Sequence, residues 1–370
     1  MNIFLTGATG ILGSHILFEL LLLYNQGELS GKVVLLARPT SKKTASQRIR
    51  EILTSEVIPD KIKTIPLTNL LSHVVIVSSG LNDFSREKLP SGIDKYTVIH
   101  AAASVNLGQN KKTCDEILNN NYQATIHLLN EMAETTSDFI FVSTAYSSGH
   151  REGRIENDFL SHNNYQFRNY YEIYKHKTEE YIAKFCPAHH IGWKIIRPSI
   201  ICGRLIDTPH YVISRFMVFY LFARYAIAMK NRLCNSDLRL YVPEVSNINI
   251  IPVDYVAKAI VACMQSDIRQ LNVVHPKNVS CRSLFTNGFN FIRFNRYSFH
   301  EHLPKQATFI EKMLQSTIGQ QLGPYIETPV HYFDTADLKK LMEKVELPEI
   351  EDHFTGLIGY AVKHKFASLF

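Results

Sequence analysis

The first 13 residues constrain the fold more than any other stretch of the chain. Residues 2–6 form a short apolar run that suits a buried strand, TGATGILG follows at once, and residues 14–23 read as an apolar helix ending near Asn25 and Gly27. Gly7, Gly10 and Gly13 stand in GxxGxxG spacing between these two elements. Glycine removes the Cβ where the backbone must turn tightly and approach a pyrophosphate, and the helix start offers free N–H groups to an anion. The turn therefore predicts a dinucleotide site on Gly7, Thr9, Gly10, Ile11 and Gly13.

The same alternation continues. Residues 33–36, 74–77, 97–100, 139–142 and 193–196 read as further strands, with helices over 117–133 and 171–185. Short β-branched runs separated by helices imply parallel strands joined by crossovers, because a hairpin cannot link parallel neighbours. Beyond Gly203 the alternation weakens: an aromatic-rich helix is expected over 212–233, a strand over 248–253, a helix over 255–264 and a strand over 271–274. Residues 276–370 read as mixed helix and loop. The expected fold class is α/β, a doubly wound Rossmann parallel sheet with an interleaved smaller, mainly helical substrate lobe. Residues 1–203 plus 246–275 would form the NADP-binding domain, and 204–245 plus 276–370 the lobe.

Composition narrows the alternatives. With 370 residues, 45% hydrophobic and 20% charged, the chain is neither disordered, collagen-like nor coiled-coil. Forty Lys+Arg against 34 Asp+Glu give +6, too modest an excess, and without a long basic run, to require nucleic acid; none is expected as a partner. Cys114, Cys186, Cys202, Cys234, Cys263 and Cys281 form no CxxC pair and read as reduced, packed thiols. The opening MNIFLTGATG lacks a basic region and a cleavage site, so a cytoplasmic protein is expected. The apolar stretch 211–229 carries Arg215 and Arg224 within one bilayer span. It reads as a buried or lipid-facing helix, compatible with peripheral membrane contact and not with a crossing.

The end of the second strand decides between dinucleotides. An acidic residue there accepts hydrogen bonds from a ribose 2′-hydroxyl, whereas arginine pairs with a 2′-phosphate. LLARPTSKK places Arg38 at that point, with Lys42 and Lys43 behind it and no carboxylate, which favours NADPH.

Tyr171 and Lys175 lie in YxxxK spacing, one helical turn apart on the same face. With 18 tyrosines in the chain, about one such pair arises by chance, so spacing alone carries no weight. Its position does: it opens the helix after the fifth strand, and that strand ends in FVSTAYSSG, where open α/β sheets bind ligands. Thr144, Tyr171 and Lys175 are expected to converge on one crevice. There the phenol protonates a developing alkoxide, the hydroxyl donates a second hydrogen bond, and the lysine lowers the tyrosine pKa. His100 reads as a packed, hydrogen-bonded residue. The pairs His189–His190 and His300/His302 lack a third ligand at matching spacing, so no metal is expected. Phe216, Phe219, Tyr220 and Phe222 would suit an apolar chain, and Arg215, Arg224, Lys230 and Arg232 a phosphate of CoA or phosphopantetheine.

Together TGATGILG, VIHAAASVN (98–106), NYQAT (121–125), FVSTAYSSG, YEIYK and IIRPSIICG (195–203) resemble the extended short-chain dehydrogenase/reductases. LLARP with Arg48 downstream, the VSTAY strand end, IIPVDYVAKAI (250–260) and the weaker HYFDTADLKKLM (331–342) are similar to the thioester reductase and fatty acyl-CoA reductase branch, which includes the terminal domains of carboxylic acid reductases. The resemblance implies a catalytic Thr144–Tyr171–Lys175 triad, with Tyr171 and Lys175 also touching the cofactor. It further implies Pro198 and Ser199 beside the nicotinamide and Ala101 and Ala102 towards the adenosine. In one respect the chain departs from the branch. Ser79-Gly80-Leu81 stands where an acidic residue usually meets the adenine, Asp83 is out of register, and weakened adenine binding is expected. With no adenylation or carrier segment before the first strand, action in trans on a CoA-bound or acyl/peptidyl carrier-protein-bound thioester is expected.

Three activities fit these residues. The first is NADPH-dependent reduction of an acyl thioester to an aldehyde or on to an alcohol. The second is an NADP-dependent dehydrogenase, epimerase or dehydratase acting on an alcohol or sugar nucleotide. The third is a non-catalytic NADP(H)-binding sensor.

Overall fold

The structure, a computed structural model, describes residues 1–160, 166–229, 237–302, 305–327 and 331–369. Its centre is a sheet of seven parallel strands: β1 (Ile3–Thr6), β2 (Val33–Ala37), β3 (Val74–Ser78), β4 (Tyr96–His100), β5 (Thr136–Val142), β6 (Gly192–Pro198) and β7 (Gln270–Val273), in the order 3-2-1-4-5-6-7. β1, β2 and β4 are buried along their whole length, the reason their sequences run apolar without alternation. Each of the first six strands falls where its apolar run predicted it.

Helix α1 (Ile11–Gln26) leaves the glycine turn and ends on Gly27, whose φ of 77° lets its N–H reach the carbonyls of Leu23 and Tyr24. Helix α2 (Ala45–Thr54) starts in a capping box of Thr44 and Gln47. Helices α1 and α6 (Val253–Met264) cover one face of the sheet with Ile16, Leu20, Val256 and Ile260. On the other face Phe4, Val98 and Phe139 meet Leu128 and Ile182, the latter from α4 (Tyr170–Ala188). Each such side chain stabilises the fold by about 1.5–3 kcal/mol relative to exposure.

Two expected helices are realised differently. The segment 117–133 becomes α3 (Ala124–Met132) preceded by a wide π-type turn over Leu118–Gln123. The helix expected over 212–233 begins only at Phe219 as α5 (Phe219–Met229), because Tyr211 and Val218 adopt φ of 69° and 52°, outside the helical region. Residues 230–233 of that expectation lie outside the described residues. A second apolar cluster joins α5 to α7 (Cys281–Phe291), α8 (Gln320–Ile326) and α9 (Ile350–Lys363) through Phe219, Phe285, Tyr325, Phe354 and Leu357. Cys186, Cys202, Cys263 and Cys281 are buried free thiols, and Cys114 is half-buried; Cys234 lies outside the described residues.

Candidate functional site

Strand order reverses between β1 and β4, and the crevice lies at their carboxyl ends. Gly7 turns the chain there with φ of 78°, and Gly10 N–H donates to its carbonyl at 2.8 Å. A Cβ on Gly7 would lie 2.7 Å from Ala102 N, and one on Gly13 only 2.0 Å from Gly7 O, so both positions admit glycine alone. Ala101 and Ala102 are thereby packed against the turn, and Ala102 N–H donates to Thr6 Oγ1 at 3.2 Å. No side chain caps the start of α1. Its first N–H groups, which have no intrahelical acceptor, suit a pyrophosphate.

Arg38 is exposed just past the end of β2. Arg48, in the first turn of α2, donates from Nη1 to the Arg38 carbonyl at 2.7 Å and from Nη2 to Thr9 Oγ1 at 3.0 Å. Burial and the neighbouring Arg38 hold its pKa below the ordinary arginine value. The Arg48 guanidinium against the glycine turn, with the Arg38 charge close enough to depress its pKa, is a place for an anion. Among the expected lysines, Lys42 is exposed, while Lys43 pairs with Glu51 at 2.6 Å. As a site residue Arg48 escaped the sequence reading; the capping-box pattern Thr44-x-x-Gln47, which starts a helix right after the strand, is the signal that places it.

A short loop follows the third strand. The chain turns back after Leu81, and Asp83 Oδ2 lies 3.2 Å from where a Cβ on Gly80 would stand. Ser79 Oγ donates to the Asp83 carbonyl at 3.0 Å, and Lys88 Nζ binds both groups, which fixes this loop. The Asp83 carboxylate thus lies beside Gly80.

At the end of β5, Thr144 Oγ1 accepts from Tyr146 N–H at 3.3 Å, which leaves the hydroxyl proton to be donated elsewhere. Helix α4 begins beside it, capped by Asn169, whose side chain accepts from Glu172 N–H. Lys175 is buried. Its Nζ donates to Val142 O at 2.6 Å and sits 5.9 Å from the centre of the Tyr171 ring. Desolvation lowers Lys175 to about 7, against the pull of Glu179. Burial and the Glu172 carboxylate raise the Tyr171 phenol above its ordinary value, so the expected downward shift by Lys175 is reversed in this geometry. At neutral pH the phenol carries its proton and can act as a donor.

One turn beyond Lys175, Glu179 is wholly buried. It accepts from Ser143 Oγ and from Ser147 Oγ (2.6 Å), which flank Thr144, and from Arg197 Nη2 at 2.7 Å and Nε at 3.0 Å. Arg197 precedes Pro198 and Ser199 on β6, so one carboxylate ties together the ends of two strands. Ser199 Oγ is buried without a hydrogen-bond partner among the described residues. Behind the site, His100 links Thr6 Oγ1 (2.7 Å) and Thr125 Oγ1 (2.9 Å). Thr125 gives its proton to Asn121 O, so His100 must donate from Nε2 and is neutral, in keeping with a pKa lowered to about 3 by burial.

Beyond Ile200 a small apolar cleft of about 20 Å³, with room for little more than a water, is lined by Phe219, Phe222, Cys281, Phe285, Leu322 and Tyr325 among others. Of the four aromatic residues expected to face a chain, Phe219 and Phe222 line it. Tyr220 instead accepts from Gly203 N–H, and Phe216 packs on Tyr220, Tyr360 and Phe366.

The chain is 22% identical to the large subunit of L-2-aminoadipate reductase of Penicillium chrysogenum over 95% of its own length. It is 28% identical, over 56% of its length, to a Drosophila melanogaster protein provisionally described as a fatty acyl-CoA reductase. It spans only 24% and 35% of those two relatives. The terminal R domain of the myxalamid biosynthetic pathway superposes with a TM-score of 0.67 at 18% identity, covering 100% of this chain and 92% of that one. UDP-glucuronic acid 4-epimerase from Bacillus cereus gives 0.66 at 17%, covering 98% and 100%; at such identities these two likenesses establish the fold. Residues 5–260 match the male sterility protein family, and the chain belongs to that family of NAD(P)-dependent extended short-chain dehydrogenase/reductases.

Proposed function

We propose that the protein is an NADPH-dependent reductase that converts an acyl thioester to the aldehyde. The observation that supports this reading is the placement of Lys175, bonded to Val142 O two residues before Thr144 and 5.9 Å from the centre of the Tyr171 ring, where β5 and α4 meet. Gly7 and Gly13, whose missing Cβ atoms let the turn close on Ala102 and on the start of α1, and the unpartnered Ser199 hydroxyl fit a nicotinamide dinucleotide. Arg38, Arg48, Thr9 and Lys42 support a 2′-phosphate. When bound, this cofactor supplies hydride to a carbonyl carbon.

The rest of the chemistry belongs to the chain. Tyr171, protonated at neutral pH, gives its proton to the carbonyl oxygen as negative charge develops there. Thr144 donates a hydrogen bond to the same oxygen and keeps the acyl carbon in line. Lys175, anchored on Val142, holds the floor of the crevice beneath Tyr171. Collapse of the resulting hemithioacetal breaks the C–S bond, and the thiol leaves with a proton. Balanced, one thioester, one NADPH and one proton give aldehyde, thiol and NADP⁺.

Exposed Arg215 and Arg224 suit the phosphates of CoA or of a carrier protein's phosphopantetheine; Lys230 and Arg232, expected to join them, lie outside the described residues. No helix of the described chain is long and apolar enough to cross a membrane. The buried free thiols suit a reducing compartment such as the cytoplasm.

The reading is tested by NADPH oxidation on adding acyl-CoA or acyl-carrier thioesters, with aldehyde trapped and measured. Oxidation of secondary alcohols or turnover of nucleotide sugars without thioester reduction would overturn it. So would tight NADPH binding with no turnover at all.

A further inference from the structure

We propose that Glu179 is a positioning residue for the reaction, which holds Thr144 from both sides and supplies the counter-charge of the buried Lys175 ammonium. This inference rests on the reading of Thr144, Tyr171 and Lys175 as the reacting set and deepens it.

Glu179 lies one helical turn after Lys175 on α4, so the two side chains share a face. Both are buried, and they grip consecutive residues at the end of β5: Lys175 Nζ donates to Val142 O at 2.6 Å, and Glu179 accepts from Ser143 Oγ. Ser147 Oγ lies 2.6 Å from Glu179 Oε1 and 2.7 Å from the Thr144 carbonyl, and its single proton is shared between the two acceptors. Thr144 is thus fixed through its preceding neighbour and through its own carbonyl, both against one carboxylate. Arg197 fills the other oxygen, with Nη2 at 2.7 Å and Nε at 3.0 Å. Glu179 therefore has donors on both oxygens and cannot turn away without leaving a buried guanidinium without its carboxylate.

The charge of Glu179 matters as much as its geometry. A buried ammonium loses its hydration and gives up its proton readily unless an anion stands near. The groups that face Lys175 are Tyr171 and Glu179 from α4, His100 from β4, and the Phe141 ring and Val142 carbonyl of β5, the ring centre at 4.5 Å. Of the titratable groups among these, the phenol is protonated and His100 is neutral, which leaves Glu179 as the anion that opposes desolvation of Lys175. Glu179 itself faces Arg197 from β6 and, on its own helix, His176, which burial lowers below the ordinary histidine value. A charged Lys175 beneath Tyr171 stabilises the negative charge left on the phenol as its proton moves to the substrate. Glu179 thus acts on the reaction through Thr144 and Lys175 without touching the reacting atoms.

The experiment compares the full chain with Glu179→Gln, which keeps the shape and removes the charge, and with the double variant Ser143→Ala, Ser147→Ala, which keeps the charge and removes the two contacts. The Lys175 titration is followed by isotope-edited NMR at the lysine Cε, its signal assigned by its loss in Lys175→Arg. NADPH oxidation is measured with acyl-CoA thioesters and with aldehydes between about pH 5.5 and 9. In Glu179→Gln, Lys175 gives up its proton about one to two pH units lower than in the wild type. Its kcat at neutral pH is down by about tenfold or more and recovers at the acid end of the range, where Lys175 is charged again. The double serine variant loses about tenfold in kcat at every pH, with the Lys175 titration in place and KM for NADPH within about twofold. An unmoved Lys175 titration in Glu179→Gln, a loss there that is equal at every pH, or full activity in the double variant overturns the proposal. The double variant leaves the Glu179–Arg197 pair intact, so it decides even if Glu179→Gln does not fold. Turnover of aldehydes without thioesters overturns only the thioester reading, because the pH profile is then read on the aldehydes. Absence of turnover with either class overturns both.

Discussion

The Lys175 ammonium lies 5.9 Å from the centre of the Tyr171 ring, buried beneath it and bonded to the Val142 carbonyl. Burial moves the two groups in opposite directions, lysine down to about 7 and phenol up, and the phenol remains protonated through the neutral range. Tyr171→Phe therefore removes the proton donor and leaves its packing. We expect kcat for NADPH-dependent reduction to fall by about 10²–10⁴ with NADPH affinity retained. Full activity in this variant would assign the proton to another group.

The Arg48 guanidinium joins the Arg38 carbonyl at the end of β2 to Thr9 in the glycine turn. Replacing either by Ala should raise KM for NADPH by about 10–100-fold and leave KM for NADH nearly unchanged, the signature of a lost phosphate contact. Initial rates with both cofactors measure the switch; equal losses with NADH would place the guanidinium groups elsewhere on the nucleotide.

Asp83 reaches the space beside Gly80. If its carboxylate meets the adenine amino group, Asp83→Ala raises KM for NADPH and NADH together by about 3–10-fold, roughly the loss of one hydrogen bond. An unchanged KM for both cofactors would return Asp83 to a purely local role.

Two neutral, buried histidines make the fold sensitive to acid. His15 and His100 are each lowered to about 3, chiefly by desolvation. The unfolded chain binds protons at these sites from about pH 6.5 downward and the folded chain only near 3, so stability is lost as pH falls through this window. Each contributes a slope of about 1.4 kcal/mol per pH unit there. Melting curves between pH 7 and 5 should show it, and His100→Asn should flatten the dependence; an unaltered slope would contradict a neutral, buried His100.

Glu179 and Arg197 form a fully buried pair. Glu179→Ala leaves Arg197 without its carboxylate and should destabilise the fold by about 3–5 kcal/mol, whereas replacing both by Met should cost much less. Urea unfolding of the three proteins decides between this coupling and independent contributions.

The sequence by itself determined the strand–glycine–helix opening, the parallel sheet and the pairing of Tyr171 with Lys175 on one helix face. These rest on local periodicity and on sterics that neighbouring residues settle among themselves. The sharp start of α5 at Phe219 and the wide turn before α3 were illegible, because backbone geometry there depends on what packs against it. The same holds for Arg48 on Thr9, Asp83 beside Gly80 and Tyr325 against Asn169, contacts between residues 39, 3 and 156 positions apart. Even the sign of the Tyr171 shift belongs to tertiary structure. Spacing brings a cation near the phenol, but the surrounding fold sets the desolvation of both groups, and that burial, with the adjacent Glu172 carboxylate, outweighs it.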